Sequence, residues 1–229
     1  HYGNIIWAKY ASNAEFNHQY YWNKAEKLDH NFYAKANYTY SDATNIYVDL
    51  QRRRIDYIFE GLDSEGSSAQ QEVNLQFFNP KFGFYHALND NQSLYASFGV
   101  ANKEPNRSDY TESTPESRPT HETLYDTEIG YKQTGNKIIF GANLYFMNYK
   151  NQLVMTGKLN DVGERTHVNV AKSFRKGIEI EGTYKLTEKL TWAANMTLSE
   201  NKIITPFIEH IDNWDTWGTE EISHENTDL

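Results

Sequence analysis

The side chains able to do chemistry fall into three groups. Glu179 and Glu181 stand two apart, as do Asp126 and Glu128. On an extended chain that spacing puts both carboxylates of a pair on one face, an arrangement that acid–base catalysis can use. Histidines adjoin acids at His121-Glu122, at Glu209-His210 near Asp212, and at His224-Glu225. These are metal-ligating residue types, yet none has the spacing of a complete ligand set. Arg52-Arg53-Arg54 is a basic run, and guanidinium groups grip carboxylates and other planar anions. Nothing joins these groups into a reaction centre. A Gly-rich phosphate loop, a Ser/His/Asp arrangement and an H-E-x-x-H pair are all missing from the sequence. The paired carboxylates therefore read as the lining of a polar surface and the histidines as solvated loop residues. We assign no catalytic residue, no metal site and no cofactor, and the chain reads as a non-enzyme.

The elements that position these residues are strands. Alternation with a period of two dominates the sequence. Phe32, Ala34, Ala36, Tyr38 and Tyr40 oppose Tyr33, Lys35, Asn37 and Thr39; Ile46, Val48 and Leu50 oppose Tyr47, Asp49, Gln51 and Arg53. Equivalent patterns run through Phe78–Leu88, Leu94–Ala101, Tyr125–Lys132, Ile138–Phe146, Gly177–Leu186 and Leu190–Ser199. With a further strand near Tyr2–Tyr10 this makes about nine, and no long amphipathic helix competes. Short connections are expected at 41–44, 89–93, 133–136 and 186–189. Long ones are expected at 12–30, 60–72, 103–121 and 156–166, with 201–229 as a fifth. Short and long alternate strictly, as in a transmembrane barrel with tight turns at one rim and long loops at the other. Tyr38, Tyr40, Tyr184 and Trp192 flank the short turns, where an amphipathic ring suits a membrane interface.

Composition agrees. Tyr (17), Phe (12) and Trp (5) make 15% of 229 residues, which favours strands. Cysteine is absent, which excludes disulfides and thiolate metal sites. The net charge of −9 argues against a nucleic-acid partner. No apolar run is long enough for a transmembrane helix. A mean hydropathy of −0.78 is compatible with a barrel, because only alternate strand residues meet lipid.

Four segments then resemble the barrel of TonB-dependent receptors, in particular those of Bacteroidetes-type bacteria. Leu94-Tyr95-Ala96-Ser97-Phe98-Gly99-Val100-Ala101-Asn102-Lys103-Glu104-Pro105-Asn106-Arg107 resembles a strand that enters a long loop through a Lys-Glu-Pro step. Glu122–Lys132 is similar to the family's E-x-G-Y-K strand, and Ala142–Leu153 to its Y-K-N-Q hairpin. Asn169–Glu179 resembles its R-x-G-I-E strand. Within these segments Pro105 ends a strand, and Gly130 and Gly177 leave small surface on the lumen side for a plug or a neighbouring backbone.

The resemblance implies an all-β, antiparallel up-and-down meander. It would form part of a 22-stranded transmembrane β-barrel with short periplasmic turns and long extracellular loops. Residues 1–229 would be an internal portion of that barrel domain, with the plug domain and the terminal strands outside it. The implied function is energy-coupled import of a scarce nutrient (an iron–siderophore, haem or a cobalamin-like ligand) across the outer membrane of a Gram-negative bacterium. The implied partners are that small-molecule ligand, outer-membrane lipid and the TonB-ExbB-ExbD system, reached through the plug. Arg53, Arg107, Tyr110, Tyr149 and Trp214 are the expected ligand-binding residues. Three alternatives stand beside this reading: a glycan-importing receptor of the same family, a passive porin or adhesin barrel, and a soluble carbohydrate-binding β-domain.

Overall fold

The structure, a computed structural model, describes residues 2–4, 6, 17, 19–62, 68–111, 113, 118–159, 165–213, 215–216 and 218–228. Its strands are β1 (Tyr2–Asn4), β2 (Gln19–Ser41), β3 (Thr44–Gly61), β4 (Gln71–Asn89), β5 (Gln92–Lys103), β6 (Glu122–Thr134), β7 (Ile138–Leu159), β8 (Arg165–Thr187), β9 (Leu190–Ile203), β10 (Phe207–Asn213), β11 (Gly218–His224) and β12 (Thr227–Asp228). One short helix, α1 (Arg107–Thr111), lies between β5 and β6. Strands β1 to β9 pair in sequence order with β12 beyond β9, and β10 and β11 form a separate hairpin. Every pairing is antiparallel. The meander is therefore as expected, and so are all four short turns.

Rungs of directly paired residues carry one face continuously across the sheet. Val48 opposes Phe82, which opposes Phe98. Ala96, Ile129, Leu144, Ile178 and Leu198 follow one another across β5 to β9. Phe32, Phe140, Ile180 and Trp192 sit on this same face by parity. From the short turns up to Leu50, Phe78, Val100, Tyr125, Asn148, Ile178 and Leu198 it holds no Asp, Glu, Lys or Arg. The band is tall: Ile138 to Phe146 and Leu190 to Leu198 each cover about nine residues. At roughly 2.5 Å of height per residue for a strand tilted by about 40°, that spans ~22 Å, close to the ~25 Å apolar band of a barrel. Phe32 (70%), Leu144 (54%), Trp192 (60%) and Leu198 (59%) are exposed. A soluble sandwich would cover such a face with a second sheet; among the described residues the ten-stranded sheet has no second large sheet on this face. Tyr184 and Trp192 oppose each other just above the last short turn, in the girdle position expected for them.

The opposite face is polar, with Lys35, Asp49, Gln51, Asn79, Lys81, Ser97, Glu128, Asn143, Glu179, Glu181, Asn195 and Thr197. Three rungs on it share one device. Tyr47 opposes Gly83, Tyr95 opposes Gly130, and Tyr145 opposes Gly177. In each case the tyrosine ring lies over the glycine, so that a Cβ added there would overlap the ring. A ring laid across a cross-strand glycine covers backbone that glycine leaves bare. The space that Gly130 and Gly177 were expected to leave for a plug or a neighbouring backbone is thus filled from within the sheet.

The upper ends depart from expectation. Residues 19–30, expected as loop, continue β2 and pair with β3 as far as Gly61. This stretch rises above the apolar band, and each of its faces mixes apolar with polar residues (Trp22 and Leu28 with Lys24 and Glu26, Tyr21 and Ala25 with Asn23 and Lys27), so the period-two signal fades while the backbone ladder persists. Residues 201–229, also expected as loop, contain the end of β9, the β10–β11 hairpin and β12. The hairpin packs on the upper part of β7, where Gly157, at a φ of 75°, admits the carbonyl of His210 at close range. Twelve strands are thus described where about nine were expected. The expected first strand is seen only at Tyr2–Asn4; most of its remainder lies outside the described residues.

Candidate functional site: the mouth of the polar face

The connection from Glu104 to His121 joins two adjacent strands, yet its described residues make contacts from β2 to β8 on the polar side. It leaves β5 at Glu104, which accepts hydrogen bonds from Lys27 Nζ (2.6 Å) and Arg53 Nη2 (2.9 Å). Arg53 also clamps Asp29, donating from Nε to Oδ1 (3.0 Å) and from Nη2 to Oδ2 (2.5 Å). Arg107, at the start of α1, donates to the Asn23 side chain on β2. Tyr110, only 3% exposed, packs against Phe59 (5.5 Å between ring centroids) and edge-on against Tyr57 (6.1 Å). Its carbonyl accepts from Gln71 Nε2 on β4 (2.9 Å). Burial pushes the Tyr110 phenol well above its ordinary range.

The rest of the connection is stapled to the far side. Asp109 takes the backbone N–H of Asn106 (2.7 Å), which closes the start of the helix. Its other oxygen lies 2.8 Å from His167 Nδ1 on β8, in a contact not aligned as a hydrogen bond. Asn169, also on β8, exchanges bonds with the Thr120 backbone, accepting at 2.7 Å and donating at 3.0 Å. His121 meets the Phe77 ring at 5.2 Å, and burial with Lys150 nearby lowers its pKa below the ordinary 6.5. Ile55, Phe59, Phe77 and Tyr110 are buried, on the polar side of the sheet near its upper end. This small apolar cluster is what folds the strap inward: ~25 cal/mol per Å2 of buried apolar surface favours it over a solvated loop.

The strap begins where the β4–β5 ladder stops. The last pair is Lys81↔Gly99, next to Pro80, which has no N–H to donate. Above it the Asn79 side chain replaces the backbone, accepting from Asn102 N (3.1 Å) and Asn102 Nδ2 (2.7 Å). β5 stays paired with β6 as far as Lys103↔Glu122, and the chain turns inward from Glu104.

Below the mouth, Tyr149 and Arg175 stand on the polar face of β7 and β8, with the guanidinium 5.5 Å from the Tyr149 ring centroid. Arg175 Nε and Asp126 Oδ1 are buried atoms without a hydrogen-bond partner. Lower still, an open groove of about 580 Å3 is lined by Tyr95, Asn143, Glu179, Glu181, Asn195 and Thr197 among others. Tyr95 Oη donates to Asn143 Oδ1 (2.9 Å), and Asn143 Nδ2 donates to Glu128 (3.2 Å). The paired carboxylates line this wall, as their spacing suggested.

The expected site residues thus separate. Arg53, Arg107 and Tyr110 come together, but with one another's neighbours: each is engaged in holding the strap. Tyr149 stands apart from them on the open wall, and Trp214 lies outside the described residues. Arg52 and Arg54 point to the apolar side, reaching Gln76 and Asp56. Sequence reading missed the stapling residues Asn23, Asp109, His167 and Asn169, since each acts on a partner far along the chain. The Tyr-over-Gly rungs were within reach of it: in three successive hairpins a Tyr and a Gly occupy lumen-side positions. Among the described residues no group of three or more His, Asp or Glu is arranged to hold a metal. The histidines of the hairpin make pairwise contacts, His224 with Glu209 (2.7 Å) and His210 with Glu221 (3.7 Å).

Comparison with known proteins completes the description. Residues 2–221 match the family described as TonB dependent receptor-like, beta-barrel. No curated protein matches the sequence. Among solved structures, the copper transporter OprC superposes with a TM-score of 0.67 at 15% identity, over 78% of this chain and 30% of that one. The siderophore receptor PiuA from Acinetobacter baumannii gives 0.64 at 15% identity, over 87% and 28%. The FrpB iron transporter from Neisseria meningitidis (F5-1 variant) gives 0.62 at 19% identity, over 79% and 27%. The chain thus spans less than a third of each of these three structures.

Proposed function

Because the chain belongs to the TonB-dependent receptor β-barrel family, we propose that it forms wall and mouth of an outer-membrane receptor that imports a scarce nutrient. The ligand class is a metal chelate too large for a porin: an iron–siderophore, haem or a cobalamin-like molecule. The observation that carries this reading is the strap. A passive porin leaves its lumen open, whereas residues 104–121 are fastened across the mouth from β2 to β8. The metal and siderophore transporters among the similar structures are consistent with that class, and their low identity is evidence of fold alone.

The whole receptor would continue beyond residues 1–229 to complete a 22-stranded barrel with a plug. Release of ligand would need the plug to move, driven by a TonB-ExbB-ExbD partner. Within this segment Tyr149 is the ligand contact on the wall, with Arg175 beside it, and Trp214 is a further aromatic candidate. Arg53, Arg107 and Tyr110 act on ligand through the strap: they set whether the mouth is closed.

The test is deletion of residues 106–118 in the full-length receptor. Cells are assayed for uptake of radiolabelled ferric siderophores, haem and cobalamin, and barrel assembly is followed by heat-modifiable gel mobility. The expected result is lost uptake with normal assembly. Unchanged uptake of whichever nutrient the receptor carries would overturn the capture role of the strap.

A further inference from the structure

On the apolar side the charge-free band ends at a cluster of lysines. Lys150 on β7 is paired directly with Lys172 on β8. Lys202 on β9 is paired with Phe174, and Lys176 with Glu200. All four lysines stand on the same face as Phe146, Ile178 and Leu198: Lys176 is level with Phe146, and Lys202, Lys150 and Lys172 lie higher. Two acids stand among them: Glu200, bound to Lys176 (2.8 Å) and Lys202 (3.5 Å), and Asp228 on β12, paired directly with Lys202. Lys150 and Lys172 are exposed and have no acidic partner in an ion pair among the described residues. Like charges directly opposite on a ladder, with Cβ atoms about 5 Å apart, destabilise a sheet. Nothing within the described chain compensates for this pair.

We propose that Lys150 and Lys172, flanked by Lys202 and Lys176, form a binding site for the phosphomonoester headgroup of a lipid in the leaflet at the long-loop rim. The site adjoins the lipid-facing band, so a lipid whose chains lie against Phe146 and Leu198 brings its headgroup to this height. Four lysines against Glu200 and Asp228 leave two net positive charges, which match a dianionic phosphomonoester better than a singly charged phosphodiester. Ammonium groups bind phosphate as movable point charges, and four of them on three strands can converge without a preformed pocket. Asn151, at a φ of 54°, interrupts the pairing immediately above Lys150, and the β7–β8 ladder resumes in the same register at Gln152↔Val170. This inference rests on the membrane reading given above.

The experiment uses the full-length receptor in phosphatidylcholine nanodiscs doped with bis-phosphorylated lipid A or, separately, with phosphatidylglycerol. Retained lipid is counted by native mass spectrometry, and assembly is checked by heat-modifiable mobility. Replacing Lys150→Gln together with Lys172→Gln should lower lipid A retention about 30-fold, or ~5-fold for each lysine. Lys150→Arg with Lys172→Arg should keep it. Phosphatidylglycerol should be retained less than lipid A. A double Gln variant that assembles and retains lipid A like the native protein would overturn the proposal. So would displacement of lipid A by millimolar inorganic phosphate, which would mark a free-anion site. Failure of the native protein to assemble in the bilayer would refute the membrane reading instead.

Discussion

The substitution Gly130→Ala tests whether the tyrosine-over-glycine rungs hold the lumen wall. Tyr95 lies directly opposite Gly130, and a Cβ there would come within 2.5 Å of Tyr95 Oη, with two ring carbons closer still. The ring must swing off, because all three atoms belong to a stiff aromatic. Overpacking of this kind costs about 1–3 kcal/mol. Moving the ring also breaks the Tyr95–Asn143 hydrogen bond, a loss of roughly 1 kcal/mol. Against these, alanine in a strand gains about 0.5–1 kcal/mol over glycine. The net is a destabilisation of about 2 kcal/mol. Gly182→Ala is the matched control. Gly182 faces the apolar side, and its nearest atom would be Ile139 O at 4.0 Å, so the strand-propensity gain should appear alone. Urea unfolding of the full-length receptor in detergent micelles, followed by tryptophan fluorescence and heat-modifiable mobility, should show opposite shifts for the two variants. Tyr95→Ala should relieve part of the Gly130→Ala penalty, since the clash is with that ring, and a double-mutant cycle reads the coupling. If Gly130→Ala and Gly182→Ala unfold within ~0.5 kcal/mol of each other, the reasoning fails. The same result would refute the reading of Tyr47–Gly83 and Tyr145–Gly177.

Three further outcomes follow from the two faces and the strap. Phe98→Arg should impair assembly into outer-membrane vesicles by ~2–4 kcal/mol, whereas Ser97→Arg should assemble normally, because only the first places a charge in the lipid-facing band; equal yields would contradict the facing. Glu104→Gln removes the charged partner of Arg53 and Lys27 and should loosen the strap, read as faster proteolysis within 104–121 while strands β2 to β9 stay protected. Docking of the strap should also weaken on acidification. His121 is held neutral when docked, so above pH 6.5 docked and undocked forms bind protons alike; as pH falls through 6.5 the undocked form gains the proton first, and hydrogen exchange in 104–121 should quicken. A His121→Phe variant should lose that dependence.

The lattice of strands was legible because a membrane barrel writes it with a period of two. Phe32, Val48, Phe82, Phe98, Phe140, Ile180 and Trp192 had to share a face if the sheet paired in order, and they do. The same signal fails above the band for a physical reason. Between Gln19 and His30 both faces meet water, so no alternation marks a strand that backbone hydrogen bonds alone sustain. The strap was legible only as a long polar connection. Its inward course depends on pairs far apart in sequence, such as Arg107 with Asn23 and Thr120 with Asn169. Each of those residues is unremarkable until its partner is placed. Arg107 and Tyr110 were singled out as aromatic and cationic loop residues, which is sound as chemistry. The sequence could not tell that their first partners would be the protein itself.

This occupation of the candidate ligand groups bears on how the mouth could open. The ladders β2 to β9 are continuous, so the wall cannot yield without losing many hydrogen bonds together. The strap is held by separate attachments to β2, β3, β4 and β8, each a polar contact of about 0.5–3 kcal/mol, plus the burial of Tyr110. A ligand with nanomolar affinity carries about 12 kcal/mol, more than any one of these. It will shift the strap only through contacts that differ between the closed and the open mouth. Arg53 is the group positioned to supply that difference. Closed, it is shared between Asp29 and Glu104; a ligand carboxylate or catecholate that took the place of Glu104 would keep the guanidinium paired while releasing the start of the strap. The exchange predicts that Arg53→Lys, which keeps the charge but loses the two-sided grip, leaves the strap more protease-sensitive without ligand and reduces the further change on ligand addition. Limited proteolysis of the native and Arg53→Lys receptors, each with and without ferric siderophore, reads both effects. If Arg53→Lys leaves both cleavage rates unchanged, the strap opens by some other contact.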